Sequence, residues 1–147
     1  MPRTLKLLLA FGLLGLILVG FWLAHYQREK RNAAKREAWY QTVLAESSSA
    51  FKPGTPRSEV EQHFRLHRTQ FKHMCCVANY RGQPVAASDT YDDLVKIGQE
   101  KAPWFCSEHN VYIAFEFNPK SEGEAPETNA SDSLKRVSIF HELEGCP

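Results

Sequence analysis

Whatever chemistry this chain performs must draw on its four cysteines and the histidines near them. Cys75, Cys76, Cys106 and Cys146 are the only cysteines among 147 residues. An even count in a small domain points to disulfides and an oxidising compartment. Four cysteines allow three pairings. A vicinal Cys75–Cys76 bridge is the least favoured, because adjacent side chains of a strand point to opposite faces. The expectation is one bridge from Cys75 or Cys76 to Cys106 and a second from the other to Cys146. Each would contribute about 2–4 kcal/mol. Free buried thiols are the alternative, since cysteine is among the most buried residue types.

The competing chemistry is a metal site. His73 precedes Cys75 by two residues, Cys106 and His109 form a C-x-x-H pair, and His141 lies on a neighbouring strand pattern. Zinc accepts four such N and S ligands tetrahedrally. Zinc modules usually show two compact ligand pairs, however, and adjacent cysteines on an extended strand cannot readily chelate one ion. No metal and no cofactor are therefore expected, with His73, Cys75, Cys106 and His109 as the alternative ligand set.

The remaining polar residues read blandly. His63 and His67 lie four apart on one helix face, as a solvated or half-buried pair. His141 reads as a histidine at the edge of the core. Asp92, Asp93, Glu108 and Glu116 are carboxylates without a placed partner, so acid–base catalysis cannot be argued from them. No specific catalytic motif is present, and an enzyme is not expected. Pro103-Trp104-Phe105 reads as core packing, with an aromatic recognition patch as runner-up. Asn129-Ala130-Ser131 matches a glycosylation sequon without further support.

The elements that must position these residues begin with a membrane anchor. Leu7 to Ala24 carries no charge. With the flanking residues it approaches the ~20 apolar positions that cross a hydrocarbon core of about 30 Å. The run exceeds a signal-peptide h-region, and the exit FWLAHYQREK offers no small-residue cleavage site. Residues 1–26 are thus expected to form an uncleaved transmembrane helix. Lys6, Trp22, Tyr26, Arg28, Lys30 and Arg31 would lie at the membrane interface. Residues 27–50 contain no Gly or Pro and read as a basic juxtamembrane helix continuing to about Glu46 and loosened at Ser47–Ser49.

A net charge of +1 hides an asymmetry. Residues 1–40 hold seven Lys/Arg against two acidic residues, whereas the rest of the chain holds eleven against fifteen. A basic stretch beside a mildly acidic domain suits anionic headgroups and not nucleic acid. The expected partners are the lipid bilayer and another envelope protein. The positive-inside count places the C-terminal domain in the cytoplasm. The cysteines place it outside, and the extracytoplasmic (periplasmic) side is preferred.

Residues 51–147 read as a small α+β domain. Pro53-Gly54 ends the first helix; Thr55 suits an N-cap and Pro56 the first helical position. Val60 and Phe64 share a face of a second helix running to about His67. TQFKHMCCVANY reads as a strand with Phe71, His73, Cys75 and Val77 on one face. NVYIAFEF places Val111, Ile113, Phe115 and Phe117 inward and Tyr112, Ala114 and Glu116 outward. LKRVSIFHEL places Val137, Ile139, His141 and Leu143 on one face. RGQPVAASDT and PKSEGEAPETNASDS read as loops, and DDLVKIG as a short strand or a helical turn. The sum is a short helix and a three- to four-stranded antiparallel sheet, covered on one face by helices.

FKPGTPRSEVEQHF resembles the helix start of the small bacterial envelope domains of the BamE (SmpA/OmlA) type. That resemblance implies two helices on a three-stranded antiparallel sheet. The chain departs from the family in lacking a lipobox and in carrying four cysteines. DDLVKIGQEKAPWFCSEHNVYIAFEF is similar to an uncharacterised group of small single-pass bacterial membrane proteins, a resemblance that implies no activity. The combined expectation is a membrane-anchored, non-enzymatic interaction module of the bacterial envelope. The alternative is a thiol- or metal-dependent redox or zinc-binding protein.

Overall fold

A computed structural model describes residues 3–82, 90–119 and 128–147, with side chains from Gly12 onward except that of Asn79. The chain forms two compact units, Met1–Trp39 and Tyr40–Pro147. The first consists of helix α1 (Arg3–Ala50) as far as Trp39. Leu13 to Leu23 leave apolar side chains exposed around the helix, Ile17, Phe21 and Trp22 among them. Trp22 stacks on Tyr26 with ring centroids 5.8 Å apart, and the Lys30 ammonium lies 5.8 Å from the Tyr26 ring. Arg28 and Arg31 are exposed. Among the described residues no helix is long and apolar enough to cross a membrane. The apolar stretch with described side chains opens at Gly12. The anchor expected over residues 1–26 therefore falls partly on side chains outside the description, Lys6 included.

The second unit opens with the end of α1 and holds a short helix α2 (Arg57–Leu66), strand β1 (Lys72–Met74), a single helical turn α3 (Val77–Tyr80), and strands β2 (Asp92–Glu100), β3 (Glu108–Asn118) and β4 (Ser133–Glu144). The four strands form one antiparallel meander in the order β1-β2-β3-β4. DDLVKIG is thus a strand, and the sheet has four members. Most of each long loop, residues 83–89 and 120–127, lies outside the description.

α1 runs to Ala50, past the expected loosening at Ser47–Ser49, where the Ser49 hydroxyl donates to the Glu46 carbonyl. Gly54 then turns the chain at φ +93°, a left-handed conformation that favours glycine. Its N–H donates to the Leu134 carbonyl, and Leu134 N–H donates back to Thr55, clipping the turn to the start of β4. Thr55 is not the helix cap. Its hydroxyl donates to the Lys52 carbonyl, and Pro56 occupies the cap position without a side-chain hydrogen bond. Helix starts leave backbone N–H groups without helical partners. Here Arg57 and Ser58 N–H donate to the Asp132 and Ala130 carbonyls instead.

Phe51, Val60 and Phe64 pack on Ile113, Phe115, Phe117 and Leu134, so the end of α1 and α2 cover one face of the sheet. The Phe51 and Phe64 rings meet Phe115 edge-on at 5.7 and 5.0 Å. The other face is not the solvent face that alternation in β3 predicts. Tyr112, Ala114 and Glu116 are buried as well. Val77, Leu94 and Phe140 close a second cluster around Tyr112 and Ala114. The cause lies in TQFKHMCCVANY, which stops being a strand at Met74. Cys75 bonds to Cys76, and bonded neighbours cannot point to opposite faces of an extended strand. The chain turns into α3 there and lays Val77 over the sheet.

Candidate functional site

All four cysteines are bridged, and the pairing corrects the expected one. Cys75 bonds to Cys76, and Cys106 to Cys146. The second bridge joins the β2–β3 connection to the segment after β4. There Ser107 N–H and hydroxyl both donate to the Glu144 carbonyl. Bridged sulfurs supply no thiolate to a metal. The set His73, Cys75, Cys106 and His109 therefore loses two donors, and its histidines separate: His73 sits on β1 beside Asp93, and His109 on β3 beside His141.

The most charged buried site is one that spacing did not indicate. Arg57, the first residue of α2, is fully buried. Its guanidinium donates to Asp93 Oδ1 at 2.7 Å and to the Tyr91 carbonyl, and lies 3.5 Å from Asp132 Oδ2. It also stacks 4.0 Å from the centroid of the Phe117 ring. Half-exposed His73 shares the same Asp93 oxygen at 2.8 Å. Burial pushes the Asp93 carboxyl up, against the pull of Arg57 and His73. A cation at a helix N-terminus opposes the helix dipole, and that misfit in PGTPR is the one sequence signal pointing to Arg57.

Asp92 and Glu116, read without partners from the sequence, have them. Asp92 Oδ2 accepts from Val77 N–H at 2.8 Å, which anchors α3 to β2. Burial, with the Glu116 charge beside it, pushes Asp92 up to about 6. Burial also acts to raise Glu116, but hydrogen bonds from Arg136 and Ser138 and the charge of Arg81 hold it below its ordinary value.

Two features face outward. Trp104 is 96% exposed and meets Phe105 edge-on at 5.8 Å, just before bridged Cys106. Core packing, the default for Pro103-Trp104-Phe105, does not describe it. His63 on α2 stacks on His67, just past the end of that helix, at 4.1 Å. Asn129 accepts from both Ser131 N–H and its hydroxyl, which closes a local turn. A cavity of about 240 Å³ between the end of α1, α2 and the sheet is lined by Val43, Phe51, Phe64, Val95, Ile97 and Ile113, among others. It is below the usual range for small-molecule sites.

Two groups among the described residues could hold a metal ion: Glu61, His73 and Asp93, and Glu100, His109 and His141. No protein-family model, curated protein or solved structure matches this chain.

Proposed function

We propose that the chain is a single-pass membrane protein that presents a disulfide-stapled α+β domain on the extracytoplasmic side, as a non-enzymatic interaction module of the bacterial envelope. The observation that carries this reading is the bridging of all four cysteines, because such bonds persist in oxidising compartments and are rare in the cytosol. The uncharged run from Leu7 to Ala24 supports the anchor. Trp22, Tyr26 and Lys30, successive on one side of α1 at spacings of four, suit a headgroup boundary. Exposed Trp104 and Phe105, on a loop fastened by Cys106–Cys146, offer a firm aromatic contact for an envelope partner.

Exposed Lys135 on β4 gives a direct test. In a Lys135→Cys variant, a membrane-impermeant maleimide should label intact cells as fully as lysed ones. The protein should stay with the membranes through an alkaline carbonate wash. Labelling only after lysis overturns the outward orientation, and release by carbonate overturns the anchor.

A further inference from the structure

The three longest strands each place a nitrogen or carboxylate donor at the same end of the sheet. Glu100 on β2 stands opposite His109 on β3, and His141 on β4 stands opposite Val111. Side chains alternate along a strand, so His109, Val111 and His141 share the face on which Ile113 and Phe115 meet the helices. Apolar packing reaches fully buried Val111 and then gives way to imidazoles. His141 Nδ1 lies 3.3 Å from His109 Nε2. One donor atom from each of Glu100, His109 and His141 lies within 4.8 Å of the other two. Buried Tyr40 meets the His141 ring edge-on, with centroids 6.5 Å apart, and limits its swing.

We propose that Glu100, His109 and His141 bind a divalent transition-metal ion of the zinc type. Two imidazole nitrogens and a carboxylate are donors such an ion accepts. Tetrahedral zinc holds nitrogens at about 2.0–2.1 Å, which sets two of them about 3.3–3.4 Å apart. The rings already have that separation. The donors come from three hydrogen-bonded neighbouring strands, so the backbone fixes their positions before an ion arrives. Three protein donors leave a further position for water, and exposed His141 gives the ion a way in. In the other group Asp93 Oδ1 already accepts from Arg57 at 2.7 Å, which puts positive charge where a cation would sit. The site draws its donors from neither the membrane segment nor the cysteines.

The test uses the full chain in mild detergent, stripped by chelator and kept without reductant, with Zn2+ titrated in competition with a chromogenic chelator. One equivalent should bind and raise the unfolding temperature. His141→Ala and Glu100→Gln should each weaken binding by at least about tenfold. They should also lose the zinc-dependent rise, each read against its own zinc-free unfolding temperature. His63→Ala and His73→Ala should leave binding unchanged. Failure to bind one equivalent overturns the proposal, and so does binding that depends on His63 or His73 but not on His141.

Discussion

Arg57 and Asp93 are both out of reach of water, and each is the other's main compensation. Removing one partner of such a pair strands the other charge, which costs about 3–5 kcal/mol. Arg57→Met should therefore destabilise the domain by about that much in urea unfolding. Arg57→Met combined with Asp93→Leu should recover part of the loss, because Asp93 is no longer stranded while buried Asp132 still lacks its cation. Asp92 makes a different prediction, in pH. Its folded value of about 6 lies above its ordinary 3.8. The folded state thus holds a proton that the unfolded chain has released between about pH 4 and pH 6. The benefit of that proton is complete below pH 4 and fades as pH rises toward 6. Asp92→Asn mimics the protonated form, so the stability of the natural chain relative to this variant should fall across that window and level off above it. The amplitude is on the order of 2–3 kcal/mol, at about 1.4 kcal/mol per pKa unit. Neither residue's setting could be read from the sequence. A carboxylate's partner comes from another strand, and spacing along one element carries no record of it. The cysteines were visible as bridge formers, but their pairing required knowing that the chain bends at Cys75.

Among the elements, the closest fit is between Tyr40 near the end of α1 and Gly98 on β2. A Cβ at Gly98 would stand 2.7 Å from the Tyr40 hydroxyl oxygen and 2.9 Å from a ring carbon. Tyr40 is buried and cannot swing away freely. Gly98→Ala should cost about 1–3 kcal/mol as overpacking, measured by thermal unfolding. Tyr40→Leu in the same background should relieve part of it. The periodicity of VYIAFEF and SIFHEL announced β3 and β4, since alternation over several residues has one simple explanation. It did not announce that both faces of β3 are buried. Tyr112 and Glu116 looked like solvent residues because the cover over them comes from Val77 on α3, in a segment that itself reads as a strand, and from Arg81 after it, in one that reads as a loop. DDLVKIG stayed undecided for a related reason. Its central strand is buried at Asp92, Asp93 and Leu94 alike, so polarity and burial part company there.

At the scale of the molecule, the two disulfides should differ in worth because they close loops of very different length. Cys106–Cys146 spans a separation of 40 residues and Cys75–Cys76 a separation of 1. Loop-closure entropy gives the first about 4 kcal/mol and the second almost nothing through that route. A Cys106→Ser/Cys146→Ser variant should lose most of that stability in denaturant unfolding, and a Cys75→Ser/Cys76→Ser variant far less. The order of helix, helix and antiparallel sheet was legible from composition and period, because those depend on neighbours in sequence. The site formed by Glu100, His109 and His141 was not, because it exists only once three strands take one register. The Cys106–Cys146 bond also makes β3, β4 and the segment between them a covalent ring. A protease that cuts that segment once opens the ring without parting its strands. The nicked domain would stay a single piece until a reductant split it, so its two halves could report the redox history of the place where the protein had been.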